Sequence, residues 1–374
     1  GAVNFAADVT FANGADIITA SAGNNNVRVG VNAGNSIVSG GNQNTVVGDE
    51  AGTAITTGIE NVLIGHLTGD ALTDADFNVA VGRAALSTDT KGNKSTAIGQ
   101  GTLNGQNFTT STDTFNTAVG FFAGLAVTTG TFNTLIGGLA GDAITDADFN
   151  VAVGTNALTT DTFGSKTTAI GHAALNTQNF GTATDTFNTA VGFAAGGAVT
   201  TGIKNVLIGA NAGQALTDAD FNTAVGRESL GADTLGSKST AIGTNALAAQ
   251  NFTTATDSNN TAVGFVAGQA ITTGTDNTII GSIAGDALTV GTRNVAVGLD
   301  ALGADTKGSN SVAIGRSALA TQNFTTATQS HNTAVGDFAG AAVTTGTDNT
   351  LIGSATGDAI TDGNTNTAVG SFAL

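Results

Sequence analysis

Thr73-Asp74-Ala75-Asp76-Phe77-Asn78 sets two carboxylates and a carboxamide at alternate positions. The arrangement returns as Asp146, Asp148 and Asn150, and again as Asp218, Asp220 and Asn222. Asp-x-Asp-x-Asn is how an oxygen-ligand site for a hard cation begins, which makes Asp74, Asp76, Asp146, Asp148, Asp218 and Asp220 the calcium candidates of the chain. The fourth copy reads Thr289-Val290-Gly291-Thr292-Arg293-Asn294 and has no aspartate. A cation needed for folding would be needed there too, and the Gly-Gly-x-Gly-x-Asp repeat of calcium-binding β-helices is missing. The expectation is therefore an acidic, solvated turn and no metal.

Gly92-Asn93-Lys94-Ser95, Gly164-Ser165-Lys166-Thr167 and Gly236-Ser237-Lys238-Ser239 carry a Gly-x-Lys-Ser/Thr sequence like the end of a phosphate loop. They lack the first glycine at the required spacing and no helical pattern follows, so they read as turns. His66, His172 and His331 fall far apart, and the chain contains no cysteine. No nucleophile–base pair or metal-hydrolase set can be assembled from them, so no catalytic residue and no cofactor are expected. Phe108, Phe180, Phe252 and Phe324 recur at one constant interval, each inside Gln-Asn-Phe. Either each ring tucks under its own loop or against a neighbouring chain, or these loops present aromatic ridges to a target; the four are the candidate contact residues.

All of these residues hang on one scaffold, Asn116-Thr117-Ala118-Val119-Gly120. Versions of this pentapeptide close on glycine nineteen times, from Gly48 to Gly370. Gly48, Gly65, Gly82 and Gly99 are equally spaced, a longer step leads to Gly120, and the same four steps then recur as a 72-residue super-repeat. Self-similarity at this length means stacked coils, because a unit so short cannot bury its own apolar face. The residue before the glycine is always Val or Ile, as in Val119 and Ile136, and the one before that is Ala, Leu, Val or Ile. Adjacent strand residues point to opposite faces, so both faces are apolar. One faces the coil interior, and the other asks for neighbouring chains.

The opening position is Asn in fifteen copies, Ser at 95, 239 and 311, and Thr at 167, which predicts a ladder of side-chain hydrogen bonds led by residues such as Asn116. At the fourth position after the glycine the order is Gly, Gly, Leu, Leu, as in Gly124, Gly141, Leu158 and Leu175, which specifies size coil by coil. A second β segment around Leu125-Ala126-Val127-Thr128 is expected on the far side of each coil. The invariant pentapeptide glycine marks a sharp corner or a close approach of chains that a Cβ would block.

The chain has 374 residues, with 54 Gly, no Pro, Cys, Met, Trp or Tyr, and 10% charged residues, a composition that disfavours helix. Its formal charge of −17, from 28 acidic and 11 basic residues, argues against nucleic acid or an anionic membrane as main partner. No apolar run reaches the ~20 residues of a membrane helix. Residues 1–43 are less regular and read as a cap or preceding region. Val9-Thr10-Phe11 and Ile17–Ala20 read as strands about an Asn13-Gly14 turn, and Val27–Gly30 and Ser36–Gly40 read as degenerate coils. Residues 44–374 read as one continuous roll of nineteen coils, cut part-way through the last. The lack of any Met suggests a processed product or a piece of a longer protein.

Asn310-Ser311-Val312-Ala313-Ile314-Gly315 resembles the signature repeat of trimeric autotransporter adhesin heads of the YadA type. The Asn-Thr-Ala-Val-Gly-x-x-Ala-Leu/Gly form is similar to repeats of tail-fibre-like proteins of phages and bacteria. The resemblance covers the chain from position 44 to its end. It implies that the all-β parallel β-roll or β-solenoid, whose repeat spacing gives about 17 residues per coil, is left-handed, with three chains side by side. It further implies an extracellular, cell-surface or virion appendage, an adhesin head or tail-fibre shaft that binds a host-cell receptor or glycan without catalysis. The coils here are longer than in the autotransporters, and one in four is longer still. Two alternatives stand beside it: a purely structural self-assembling filament, and an ice- or surface-binding solenoid. The Thr row at the eighth position after the glycine is broken in every fourth coil, which counts against the last.

Overall fold

The structure, a computed structural model, describes residues 22–374, and the expected strands at 9–11 and 17–20 lie outside them. The chain divides into two compact units, 1–115 and 116–374. Over the described residues, each is an all-β parallel solenoid. In the first, strands Val27–Val29, Thr45–Val47, Val62–Ile64, Val79–Val81 and Thr96–Ile98 pair in succession, all parallel and in register. In the second, the strands run from Thr117–Val119 to Thr367–Val369 with the same step, as in Thr134↔Val151 and Val151↔Thr168. The Val27–Val29 strand stacks on Thr45–Val47, so regular coils begin upstream of position 44. Arg28 takes the inner position in that coil, and its Nε donates to the Ala33 carbonyl at 2.7 Å.

Strand burial follows from the two-residue period. The middle residue points into the coil and is fully buried (Ala118, Leu135, Ala152 and Ala169 at 0%), while its neighbours point outward. The Asn that precedes the strand is also interior. Asn133 donates its Nδ2 to the Ala147 carbonyl at 2.8 Å, and its Oδ1 accepts the Asn150 amide at 2.9 Å. The same step recurs with Asn116, Asn150 and Asn205, which builds the amide ladder the opening position predicts.

The interior is filled by exchange of volume between two positions. Coils with Gly at the fourth position after the pentapeptide carry Val127, Ile144, Val199 or Leu216 one turn further on. Coils with Leu158, Leu175, Leu230 or Leu247 there carry Asp161, Gln178, Asp233 or Gln250 instead, and all of these side chains are buried. A Cβ on Gly141 would lie 2.7 Å from Leu135 Cδ2 and 2.9 Å from Ile144 Cδ1, so a large residue fits only where its neighbours are reduced.

The far side of the coil is not the expected second strand. Residues 121–126 form consecutive turns, because Phe122 (φ 56°) and Gly124 (φ 61°) are left-handed and bend the chain too sharply for an extended run. Backbone bonds between coils persist there, such as Ala126 N to Asp142 O at 2.9 Å and Thr128 N to Thr145 O at 2.8 Å. Beyond the main sheet, short parallel pairs form, among the described residues, only at the long coils, including Gly92–Asn93 with Thr112–Asp113 and Gly164–Ser165 with Thr184–Asp185.

Gly154 shows why the pentapeptide ends in glycine. Its φ of +135° belongs to a region L side chains rarely adopt, and a Cβ would lie 2.5 Å from the Gly171 carbonyl oxygen. The close approach is thus between successive coils of one chain rather than between chains.

Candidate contact surface

The outward strand residues form one face of each unit. It consists of a Thr/Val column and a Val/Ile column, without a charged residue in any of the nineteen pentapeptides. Val119 lies on this face, half-buried, and the isoleucines are more open, with Ile136, Ile208 and Ile280 at 38–39% exposure. An apolar column repeated on every coil is more than the scattered surface hydrophobics of an ordinary monomer.

The face is flanked by corners. The residue before each pentapeptide is left-handed throughout, from Glu60 (φ 56°) and Phe77 (φ 62°) to Thr365 (φ 57°). Asn and Asp tolerate this conformation, whereas a bulky side chain in it is an outlier. In the second unit the corner nevertheless reads Phe132, Phe149, Lys166, Phe187, Lys204, Phe221 and Lys238 over seven consecutive coils. Phe132 and Phe149 stack at 4.9 Å and 8°. Lys166 Nζ lies 5.3 Å from the Phe187 ring centre, and Lys204 Nζ 4.8 Å from that of Phe221. The rings remain about half exposed, 45–51%. In the first unit Lys94 packs over Phe115 at 5.1 Å. On the other flank Phe121, Phe193 and Phe265 are 52–58% exposed, and His172 stacks on Phe193 at 5.3 Å. Sequence reasoning passed over the corner ladder because Phe and Lys are poor left-handed residues; the signal was the column of residues standing immediately before Asn.

The four expected loop rings are elsewhere. Phe108, Phe180, Phe252 and Phe324 are 6–7% exposed, so the loops offer their polar tips, Asn107, Thr109 and Thr110 among them, rather than an aromatic ridge. Each ring is drawn in by a buried aspartate of the preceding coil. Asp89 Oδ1 accepts the amides of Gly92 and Phe108, both at 3.0 Å, and its Oδ2 accepts Gln106 Nε2 at 2.5 Å. Asp161, Asp233 and Asp305 repeat this with Phe180, Phe252 and Phe324. Gln178 relays onward, donating to Thr167 Oγ1 at 3.0 Å and accepting from Asn188 at 2.8 Å, which carries the amide ladder past the coil that lacks Asn. The signal for these buried carboxylates was Asp-Thr-x-Gly, present once in every four coils.

The calcium candidates act as hydrogen-bond acceptors, three of them for the backbone. Asp76 Oδ1 accepts the Ile59 amide at 2.8 Å, Asp148 the Thr131 amide at 2.7 Å, and Asp220 the Ile203 amide at 2.8 Å. Asp74 and Asp146 accept from the hydroxyls of Thr73 and Thr145 beside them, and Asp218 from Thr201 one coil away. Among the described residues, no group of three or more His, Cys, Asp or Glu side chains is placed to hold a metal. The three lysines of the phosphate-loop-like turns instead pair with aspartates across the long loop, at 2.5 Å in Lys94–Asp113, Lys166–Asp185 and Lys238–Asp257. The hydrogen bond from Lys94 holds the Asp113 carboxyl below its ordinary range. Arg316 does the same to Asp337. Burial raises Asp70 and Asp286. His66, His172 and His331 stand on separate coils; His331 lies 3.3 Å from the Gln329 carboxamide oxygen.

No protein-family profile matches this sequence, and no curated protein matches it at a significant level.

Proposed function

We propose that this chain is a segment of a fibrous surface or virion appendage, an adhesin head or tail-fibre shaft. In this reading three copies pack side by side through their outer sheet faces, the assembly stands outside the cell, and its work is attachment without catalysis. The observation that supports it is the uncharged Thr/Val and Val/Ile face, repeated on every coil and uncovered in a single chain. Ten or more coils of partly exposed Val and Ile suit a self-interface better than contact with water. The resemblance to adhesin-head and tail-fibre repeats points the same way. The triple variant Ile136→Asp, Ile170→Asp, Ile208→Asp tests the packing, since all three side chains face outward. The expected result is a folded monomer where the parent is a trimer; a trimer that survives three charges in its seam refutes it. Labelled parent protein applied to a panel of cell surfaces then tests attachment, and failure to bind any of them favours the purely structural filament.

One observation favours a second reading. The Thr that faces outward is that of the pentapeptide, beside Val or Ile, so the face is regular and charge-free, as a surface-binding solenoid requires. Thermal hysteresis of the monomeric protein would support that reading over the appendage.

A further inference from the structure

Six consecutive corners of the second unit alternate strictly: Phe149, Lys166, Phe187, Lys204, Phe221 and Lys238. All are left-handed, with φ between 52° and 63°. Further along, the same corner includes Asn259, Asp276, Asn310 and Asp348, residues that accept this backbone without strain. Folding therefore does not need Phe there, yet three rings are held in a strained conformation with half their surface open (51, 51 and 49%). The sheet face does not explain them either. Its columns keep the same chemistry through all fifteen coils of the unit, whereas the alternation occupies six.

We propose that this ladder is a two-fold contact with a second copy of the chain, running antiparallel. An even-numbered alternation is self-complementary under a two-fold axis: Phe149 meets Lys238, Lys166 meets Phe221, and Phe187 meets Lys204, so that every ring faces an ammonium. Parallel, in-register pairing would set Lys166, Lys204 and Lys238 against themselves. The charge of the ladder is also nearly cancelled on its own chain, since Lys166 and Lys238 are paired with Asp185 and Asp257. Two such surfaces can approach although each chain carries −17 overall. Half-open side chains of about 100 Å² each give roughly 600 Å² per copy, about 1,200 Å² in total, the low end of specific interfaces. The contact is accordingly weak and concentration-dependent. It is independent of side-by-side packing, because it doubles whatever assembly the sheet face forms.

Sedimentation over a concentration series tests it. The parent should show a reversible doubling of its basal mass that strengthens from about 0.01 to about 0.15 M salt, as repulsion between the acidic chains is screened. Phe187→Asn with Phe221→Asn should abolish the doubling while leaving the basal assembly and Tm intact, because Asp257-Ser258-Asn259-Asn260 already uses Asn at this corner. The chain has no cysteine, so orientation can be read directly. Phe149→Cys mixed with Lys238→Cys should yield a disulfide-linked pair under mild oxidation, and neither variant alone should. Doubling that survives the Asn substitutions, self-cross-linking of Phe149→Cys, or no doubling at any concentration would each overturn the proposal.

Discussion

Replacing Gly154 by alanine adds one methyl group where two successive coils approach closely. The residue sits at φ +135°, where the strain for a residue with a Cβ is about 1–3 kcal/mol. The new Cβ also starts 2.5 Å from the Gly171 carbonyl oxygen and 3.1 Å from the His172 amide nitrogen, both backbone atoms that cannot turn away. Relief requires the two coils to part, which lengthens Gly171 N to Val153 O, 2.7 Å, and Val151 N to Thr167 O, 2.8 Å. Weakening two such bonds adds about 1–2 kcal/mol, for a total of about 3–5 kcal/mol. Because each coil touches only its neighbours, the damage is local. Hydrogen exchange should accelerate in the strands at 134–136, 151–153 and 168–170 and leave distant coils protected. Gly138→Ala is the control, since its Cβ would meet nothing within 4 Å. Chemical denaturation should place Gly138→Ala within about 0.5 kcal/mol of the parent. If Gly154→Ala does the same, the close approach of coils is not what selects glycine.

Ala152→Asp, which drives a charge into the coil, should cost several kcal/mol, whereas Val153→Asp should leave the coil folded and weaken association between chains; circular dichroism and native mass separate the two. Asp161→Ala removes the acceptor of the Gly164 and Phe180 amides and of Gln178, so limited proteolysis should cut first in the loop at 178–186, with a loss of about 2–4 kcal/mol. Asp76→Ala deprives the Ile59 amide of its acceptor and should cost about 1 kcal/mol, while a chelator should leave Tm unchanged. Asp70, whose carboxyl is raised by burial and whose Oδ1 has no partner among the described residues, opposes folding when charged. Its folded pKa lies above the unfolded one, so that opposition is relieved as pH falls through the raised value. Asp70→Asn should therefore stabilise at pH 7, by less than about 1 kcal/mol given its partial exposure, and the gain should vanish in acid.

Coil length, parallel stacking and the inward and outward strand residues could be read from the pentapeptide, because its glycine and its Val/Ile keep one spacing and the strand period of two does the rest. The far side could not be read in this way. Leu125–Thr128 has the composition of a strand, but Phe122 and Gly124 are left-handed, and propensity gives no hint that a Phe will adopt that backbone. The same blindness hid the Phe/Lys corner. Phe180 looked like a loop tip because its partner, Asp161, lies 19 residues away and contributes a buried carboxylate that sequence reasoning places at the surface. The Asp-x-Asp-x-Asn segments were legible as turns, and their role as acceptors for the preceding coil was not, since it depends on a neighbour 17 residues away.

The side-by-side packing of outer sheet faces is tested most directly by the native mass of the intact protein at neutral pH, in dilute solution where weaker contacts dissociate. The predicted species has three times the 36.3 kDa mass of one chain. A monodisperse 36.3 kDa monomer, with its Val/Ile columns open to water, would contradict the account.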